Sequence, residues 1–514
     1  MLRIGVDVGG TNTDAVVMEG NAVLSAIKAA TTADVTSGVK TAIKSVIDAA
    51  SVDPASVAHV MIGTTHFTNA VVERKHLSKV AAIRLGLPAA ECVPPMVDWP
   101  RDLRDALGGH RFMLRGGYEY DGRVLSELDL DGLEGVADQI GSLGIRAAAI
   151  TSIFAPINDA IEQQARDFLL QRLPGLNVVM SSEIGRIGLL ERESATILNA
   201  SLLELADRTV TAFGVALEEC GLDCAFSITQ NDGTLMSAEH VRRYPVLTFA
   251  SGPTNSMRGA AFLTGFKDAI VVDIGGTTSD VGTLVNGFPR QAATIVDIGG
   301  VRTNFRMPDV FAIGIGGGSL VADDGRTVGP QSVGYRIAEE GLVFGGQTLT
   351  ATDIAVRAGL ASVGDPAAVA SIPETVAATA LSTIRTQLER AVDRTRTSAA
   401  SVPIIAVGGG SILMPDRLGD LAVVKPANFG VANAVGAAIA QISGEVDRVF
   451  DLTGSNRLAA LAAAETEARD KAAAAGAIAD TIEVIEREDV PLAYLPGNAT
   501  RIRVRVVGDL GLTR

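Results

Sequence analysis

The chain has 514 residues, of which 47% are hydrophobic, and this predicts about three domains with sizeable apolar cores. The formal net charge of −15 and the 4% aromatic share disfavour a nucleic-acid-binding surface, which needs basic side chains and stacking rings. No apolar run reaches about 18 residues, so the sequence predicts no membrane span.

The first predicted element is a β-hairpin with the sequence VDVGGTNTD at residues 6–14. A β-branched apolar run ends at Asp7 and reads as a buried strand. Glycines let backbone N–H groups approach an anion closely, and hydroxyls add further donors. The sequence therefore predicts that the turn binds the phosphates of a nucleotide, through Gly9, Gly10, Thr11, Asn12 and Thr13.

The next segments alternate between strand and helix patterns. Strands are predicted at 57–62, 79–85, 146–153 and 177–181, with helical stretches between them and a long helix at 191–217. This alternation favours a parallel or mixed sheet covered by helices. Within the 191–217 helix, Arg192 and Glu193 are predicted to pair with each other.

Three polar residues of the first half are candidates for substrate contact. His66 and Asn69 lie in the GTTHFTNAVVERK segment at 63–75, a loop that enters a helix, and Arg84 lies in AAIRLG. For His66 an ordinary surface position is an equally good interpretation.

The hairpin motif recurs as VDIGGTTSD at residues 272–280, about half a chain length later. Its predicted phosphate-binding residues are Gly275, Gly276, Thr277 and Thr278. Gly-Gly-Thr is also ordinary turn chemistry, but a plain turn needs neither the preceding Asp nor a second copy. A third segment, VDIGG at 296–300, is followed by Val301-Arg302-Thr303-Asn304 and lacks the hydroxyl-x-x-Asp ending, so Asp297 is predicted to be structural.

The aspartates that precede the two glycine pairs point to a cation. A carboxylate cannot bind phosphate directly, so Asp7 and Asp273 are predicted to hold Mg²⁺, most simply through water. The aspartates that end the motifs, Asp14 and Asp280, either orient the attacking group or cap the hairpin.

Two more glycine clusters follow. VGGGSILMP at 407–415 comes between a strand and a short helix, and its backbone could lie flat against a purine or ribose; the residues are Gly408, Gly409, Gly410 and Ser411. GIGGGSL at 314–320 is the second candidate for nucleotide contact, through Gly316 and Gly317. A structural loop is the alternative for each. The tail, 446–514, is predicted to be a small α+β appendage.

Two hairpins of this kind, a later GGGS and a small-residue helix at 431–437 resemble the actin, sugar-kinase and heat-shock-chaperone ATPase superfamily. The resemblance implies an α/β fold of two ribonuclease-H-like lobes, at 1–190 and 191–445, with ATP in the cleft between them. It also implies that 191–200 and 432–438 are paired connecting helices.

A narrower resemblance covers almost the whole chain. The ordered motifs RIGVDVGGTNTDAV, SSEIGRIGLLERESATILNASL, SGPTNSMRGAA, DIGGTTSDVG and IGIGGGSL are similar to those of the hydantoinase/oxoprolinase A family. Phe311 and Ala312 stand where members often have His, and the usual cysteine motif after Gly329-Pro330 is absent. These departures suggest a divergent alpha subunit with its own substrate pocket.

The resemblance implies an ATP-dependent and Mg²⁺-dependent enzyme that opens a cyclic amide, with a separate beta subunit in a homo- or hetero-oligomer. The alternatives are the ATPase component of an acetone- or acetophenone-type carboxylase, and a regulatory ATPase or small-molecule kinase of the same fold. The residues expected to carry the chemistry are Asp7, Asp273, Asp14 and Asp280. A strand at the N-terminus and three cysteines without a disulfide framework predict a cytoplasmic protein.

Overall fold

The computed structural model describes residues 1–10, 12–30, 35–292, 295–396, 402–450, 452, 456–492 and 499–511. Thr11, one of the predicted phosphate-binding residues, lies outside the described residues. No helix in the described ranges is long and apolar enough to cross a bilayer.

The described strands, in chain order, are β1 (Leu2–Val8), β2 (Asn12–Glu19), β3 (Ala22–Ala30), β4 (Val57–Thr64), β5 (Val80–Leu87), β6 (His110–Arg115), β7 (Ala147–Ser152), β8 (Asn177–Met180), β9 (Ala225–Thr229), β10 (Thr234–Ser237), β11 (Ala269–Ile274), β12 (Ser279–Val285), β13 (Phe288–Pro289), β14 (Val296–Ile298), β15 (Val301–Thr303), β16 (Val310–Ile313), β17 (Ser319–Val321), β18 (Val328–Ser332), β19 (Ile404–Val407), β20 (Arg417–Leu418), β21 (Leu421–Val424), β22 (Gln441–Phe450), β23 (Glu483–Pro491) and β24 (Thr500–Gly508). The described α-helices are α1 (Val35–Ala50), α2 (His66–Glu73), α3 (Arg101–Ala106), α4 (Leu130–Ser142), α5 (Ala160–Arg172), α6 (Leu189–Glu219), α7 (Ala238–Arg243), α8 (Ser251–Thr264), α9 (Ile337–Glu340), α10 (Ala351–Arg357), α11 (Glu374–Thr395), α12 (Ala432–Ala438) and α13 (Arg457–Ala474).

Two large mixed sheets form the body of the molecule. The first has nine strands in the order β23-β24-β22-β10-β9-β4-β1-β2-β3. The second has seven, in the order β13-β12-β11-β19-β21-β20, with β16 paired to β12. A separate four-stranded sheet, β6-β5-β7-β8, packs its own core against α4 and α5. These sheets and their covering helices confirm the predicted α/β class.

Helices α8 and α12 lie between the two large sheets. Helix α12 packs on β1, β2 and β4, whereas α8 packs on α12, β11 and β19. Their close approach depends on glycine, because a Cβ at Gly259 would lie 1.8 Å from the carbonyl oxygen of Ala432. A Cβ at Gly436 would likewise lie 1.8 Å from the carbonyl oxygen of Asn255. The middle layer of the fold is therefore a tightly packed helix pair.

This pairing corrects one expectation. The helix at 432–438 was expected to pair with residues 191–200, but its partner is α8. The long helix α6 instead packs against β7 and α1. Its apolar side chains are part of the hydrophobic core that also contains side chains of α1, β1 and β4. The small residues of 432–438 predict a close helix–helix contact, but they do not predict which helix is the partner.

The C-terminal segment also differs from the predicted division at 190/191 and 445/446. It has the expected α+β content, with α13 between strands, but its strands are not a separate body. β22 and β24 pair antiparallel over residues 442–450 and 500–508, and β10 pairs parallel with β22, so the tail extends the first sheet. Strands β9 and β10, placed in the second lobe by sequence, belong to this sheet as well. Pairing between strands distant in sequence decides this arrangement.

Candidate nucleotide site

The repeated motif folds twice into the same hairpin. In the first copy β1 and β2 are antiparallel with Asp7 opposite Asp14, and in the second β11 and β12 place Asp273 opposite Asp280. The turns also match, since Gly9 N–H donates to Asn12 O at 3.0 Å and Gly275 N–H to Thr278 O at 2.9 Å. Each copy has a parallel neighbour on its other side, β4 for β1 and β19 for β11. The sequence repeat is thus a structural repeat, with one copy in each large sheet.

Asp7 is held by amides from the middle helix layer. Its Oδ1 accepts a hydrogen bond from Asn255 Nδ2 at 2.9 Å, and its Oδ2 accepts one from Asn433 Nδ2 at 3.0 Å. Asn433 also donates to Asp14 Oδ2 at 2.8 Å. Burial raises the pKa of Asp7 to about 6, the amide donors oppose that rise, and the charges of Asp14 and Asp273 add to it. Asp7 is therefore rigidly oriented beside other carboxylates.

The aspartates of the second hairpin have fewer partners. Burial raises the pKa of Asp273, which the side chain of Ser256 partly offsets by a hydrogen bond. Burial, and next the charge of Asp273, raise the pKa of Asp280 to about 7. No hydrogen bond from the described residues offsets that rise. Because α8 supplies both Asn255 and Ser256, consecutive residues of one helix orient one aspartate of each hairpin.

Lys28 of β3 is the cation that contacts this cluster. Its Nζ donates to both carboxylate oxygens of Asp14, at 2.6 and 2.7 Å. Burial raises the pKa of Asp273, and the charge of Lys28 offsets part of that rise. A Cβ at Gly409 would lie 4.0 Å from Lys28 Cε. Lys28 thus lies between the hairpin of the first sheet and the glycine loop of the second.

The two glycine clusters have different positions relative to the second hairpin. Gly408 adopts φ +84° directly after β19, and Gly409 is exposed at the start of a short 3₁₀ helix, Gly409–Leu413. Gly410 and Ser411 are buried, and the Ser411 hydroxyl donates to the carbonyl of Val407. Only the first part of this loop, around Gly409, therefore presents an open surface.

Gly316 and Gly317 lie behind the hairpin and are buried. Gly317 N–H donates to Gly275 O at 2.9 Å, and a Cβ at Gly316 would lie 2.6 Å from Thr277 N. Their predicted contact with the nucleotide stays a prediction. They pack against the backbone of the 275–277 turn, where a larger side chain than that of glycine would clash.

The three predicted substrate residues are not gathered at one place. Arg84 is fully buried and makes a double ion pair with Glu193, with Nε–Oε2 at 2.7 Å and Nη2–Oε1 at 2.5 Å. It also donates to the carbonyl of Val93. This geometry contradicts a substrate role for Arg84, and it shows that Glu193 pairs across the fold rather than with Arg192. Arg192 instead binds Ser181 Oγ and the Ser152 carbonyl.

His66 and Asn69 begin helix α2 next to the end of β4. Asn69 is exposed and donates to Thr65 Oγ1 at 3.4 Å, whereas His66 is half-buried. Burial, followed by the charges of His76 and Arg208, lowers the pKa of His66. Thr65 N–H donates to the carbonyl of Val8, so this segment adjoins the first hairpin. Both residues keep a position compatible with substrate contact.

Asp297 occupies a different hairpin from the two aspartate pairs. It is exposed on the two-stranded β14–β15 unit, where its Oδ1 accepts a hydrogen bond from Gly300 N–H at 2.8 Å.

Four residues of the site were not predicted from the sequence: Lys28, Asn255, Ser256 and Asn433. Asn255 and Ser256 stand in the SGPTNSM motif and Asn433 in the small-residue helix, so a polar residue on an otherwise small, buried helix was the available signal.

Comparison with known proteins extends this picture. The profile of the hydantoinase/oxoprolinase N-terminal region matches residues 3–173, and the hydantoinase/oxoprolinase profile matches residues 192–360. The chain is 27% identical to caprolactamase subunit alpha of Pseudomonas jessenii over 70% of this chain and 55% of that protein. It is 28% identical to the acetophenone carboxylase gamma subunit of Aromatoleum aromaticum, over 46% of this chain and 34% of that protein. It spans about half the length, or less, of these curated relatives.

Solved structures share the fold. The ATP-dependent caprolactamase from Pseudomonas jessenii superimposes with a TM-score of 0.78 at 20% identity, covering 98% of this chain and 87% of that chain. Nucleotide-free acetone carboxylase superimposes with a TM-score of 0.69 at 18% identity, covering 100% and 88%. The predicted α/β fold is therefore shared with these two solved structures over nearly the whole of this chain. Together, the matched profiles and the duplicated aspartate hairpins show that this chain belongs to the hydantoinase/oxoprolinase family.

Proposed function

We propose that this chain is the ATP-dependent subunit of an amidohydrolase, which activates a cyclic amide of the hydantoin, 5-oxoproline or lactam class for ring opening. The observation that carries the proposal is the duplicated hairpin, with Asp7 and Asp273 close enough for the charge of Asp273 to raise the pKa of Asp7. Two glycine turns beside such carboxylates form a suitable binding site for a nucleoside triphosphate and its cation. The relative named as a caprolactamase supports a lactam-like amide.

The donor set fits Mg²⁺. Burial raises the pKa of Asp7 and of Asp280, and neighbouring carboxylates add to both shifts: Asp14 and Asp273 for Asp7, and Asp273 for Asp280. Several carboxylates therefore lie close together beside the ammonium group of Lys28. The described ranges contain no group of three or more metal-ligating side chains. Mg²⁺ suits that arrangement because it takes one or two protein carboxylates and completes its shell with water and phosphate oxygens. Asp7 and Asp273 would hold the ion, which would screen the charge of the transferring phosphoryl group.

The proposed chemistry begins with the amide carbonyl oxygen attacking the γ-phosphorus of ATP, and the bond from that phosphorus to the β-γ bridging oxygen breaks to release ADP. The resulting imidate-like phosphate has a carbon that accepts water. Collapse of this tetrahedral adduct breaks the C–N bond, and the released ring nitrogen takes up a proton. The acyl phosphate that remains is hydrolysed by a second water to the carboxylate and inorganic phosphate. The chain's part is to position the reactants and to accept a proton from water.

Asp280 is the best candidate for the base that accepts this proton from water. Asp14 is already engaged by Lys28 and Asn433, whereas Asp280 has a pKa near 7 and no compensating hydrogen bond from the described residues. A base with a pKa near the working pH transfers protons most effectively. The adenosine would lie against the open backbone at Gly409, and Lys28 would contact the phosphates from the opposite lobe.

A second candidate is the ATPase component of a carboxylase, which the likeness to the acetophenone carboxylase gamma subunit favours. The names of both relatives denote subunits, so a separate beta subunit would complete the site.

We also propose that the protein is cytoplasmic, because Cys92, Cys220 and Cys224 are all free thiols; cell fractionation tests this proposal.

The test mixes the purified chain and its co-purifying partner with ATP, Mg²⁺ and a panel of cyclic amides, with and without bicarbonate. Ring-opened product formed in step with phosphate release is expected. Product that requires bicarbonate would instead establish the carboxylase, and accumulating phosphorylated substrate would establish a kinase. Ring opening without ATP would refute the proposal.

Two substitutions sharpen this test. Asp273→Ala should lower ATP turnover by roughly 10²-fold or more, because it removes preorganised charge from the phosphate site. Asp297→Ala is the matched control, since it makes the same change in the exposed β14–β15 hairpin and should keep full turnover.

A further inference from the structure

A cavity of about 560 Å³ lies between the edge of the second sheet and the C-terminal strands of the first. We call it the arginine cavity, because its walls contain Arg186, Arg290, Arg487, Arg501, Arg503 and Arg505. Residues 285–292 supply one wall and strands β23 and β24 supply another. It shares no lining residue with the repeated motifs at 6–14 and 272–280.

Several of these guanidinium groups are buried without enough acceptors. Arg503 and Arg505 are only 6% and 4% exposed. Nε and Nη2 of Arg503, Nε of Arg505 and Nη2 of Arg186 are buried and have no hydrogen-bond partner among the described residues. On the facing wall, Nε2 and Oε1 of Gln291 are also buried and have no hydrogen-bond partner among the described residues. A buried donor without an acceptor destabilises the folded protein, so these atoms favour a bound acceptor.

The acidic neighbours do not remove this excess of donors. Glu486 pairs with Arg503 at 2.5 Å, Asp232 with Arg505 at 3.2 Å and Asp447 with Arg501 at 2.6 Å. Those pairs occupy Nη1 of Arg503 and Nη1 of Arg505. Nε of Arg503 lies 3.9 Å from Glu445 Oε1 and Nε of Arg505 lies 3.6 Å from Glu486 Oε2, both beyond hydrogen-bond distance. Among the described residues, these two atoms and Nη2 of Arg503 therefore have no hydrogen-bond acceptor.

The arginines also repel one another. Burial, and then the nearby charge of Arg306, lower the pKa of Arg186 to about 10. Burial lowers the pKa of Arg306 to about 10 as well; Glu445 opposes this, and Arg503 and Arg505 add to it. An anion in the cavity would relieve this repulsion and satisfy the free donors together.

We propose that the arginine cavity binds a small molecule through an oxyanion group, a carboxylate or a phosphate. The planar fork of arginine matches the two oxygens of either group and forms charge-assisted hydrogen bonds with them. The volume is within the range of about 300–1,000 Å³ that is typical of small-molecule sites. Because the walls come from both large sheets, the bound anion also links the two lobes that carry the hairpins.

The experiment titrates inorganic phosphate, and separately succinate, into the full nucleotide-free chain by calorimetry at constant ionic strength. Saturable binding of at least one anion is expected, and the anion that binds assigns the class. Arg503→Gln should weaken binding by about tenfold to a hundredfold, the effect of losing a hydrogen bond to a charged group. The matched control is Arg448→Gln, which removes the same charge from an exposed β22 residue paired with Glu467 and should bind as the wild type does.

Hydrogen exchange on the wild-type chain keeps the proposal testable if Arg503→Gln does not fold. The bound anion should slow amide exchange in residues 285–292 and in strands β23 and β24. Protection confined to the hairpins at 6–14 and 272–280 would place the anion in the nucleotide site and would overturn the proposal. So would the absence of binding by both anions, or equal binding by the wild type and by folded Arg503→Gln.

Discussion

Replacing Asp280 by Asn should stabilise the ligand-free protein at neutral and alkaline pH while impairing its activity. Asp280 faces Asp273 in the second hairpin, and its pKa is raised from 3.8 to about 7, first by burial and then by the charge of Asp273. The folded state therefore holds this proton more tightly than the unfolded state does. The stabilisation is complete below the unfolded value of 3.8 and is lost as the pH rises through about 7. Asparagine has a similar shape and never ionises.

The size of the effect follows from that difference. Moving a carboxyl pKa from 3.8 to about 7 corresponds to about 4 kcal/mol. Since Asp280 is only partly buried, water screens some of this energy, and we expect the variant to be more stable by about 2 kcal/mol. The difference between variant and wild type should be near zero at pH 4, increase between pH 4 and pH 7, and stay constant above that.

Urea unfolding without nucleotide or Mg²⁺, followed by circular dichroism from pH 4 to pH 8.5, measures this difference. Asp297→Asn makes the same chemical change on an exposed hairpin and should alter the free energy of unfolding by less than about 0.5 kcal/mol. Equal stability of wild type and Asp280→Asn across the pH range would refute the electrostatic reasoning. Unchanged ring-opening turnover in the variant would separately exclude Asp280 as the proton acceptor.

Three other substitutions test separate parts of the fold. Gly409→Val adds a branched side chain to the exposed loop proposed for adenosine, so ATP affinity measured by calorimetry should fall at least about tenfold with little change in Tm. Arg84→Met leaves Glu193 buried and unpaired and should cost about 3–5 kcal/mol in urea unfolding; a smaller loss would show that water reaches the pair. Gly436→Ala should lower Tm because its Cβ would lie 1.8 Å from a carbonyl of the facing helix, whereas Gly214→Ala, where nothing lies within 4 Å, should keep or raise it.

The sequence by itself determined the two hairpins. A strand that ends at Asp, a glycine pair and hydroxyl residues specify local geometry through the backbone freedom of glycine and the alternation of buried side chains. Both copies consequently fold with the same register, Asp7 opposite Asp14 and Asp273 opposite Asp280. The strands predicted at 57–62, 79–85, 146–153 and 177–181 and the long helix at 191–217 are present as well, because hydrophobic periodicity is a local property.

Tertiary structure decided what depends on pairing between distant segments. The sequence did not show that β22 and β24 extend the first sheet, or that Arg84 pairs with Glu193 rather than facing a substrate. Nor did it show that Asn255 and Asn433 would converge on Asp7, since these residues are far apart along the chain. An arginine in a strand looks the same in sequence whether it meets a ligand or a buried carboxylate. Only the packing of α8 and α12 between the two sheets brings the hairpins and their orienting amides together, because that contact depends on shape complementarity at two glycines.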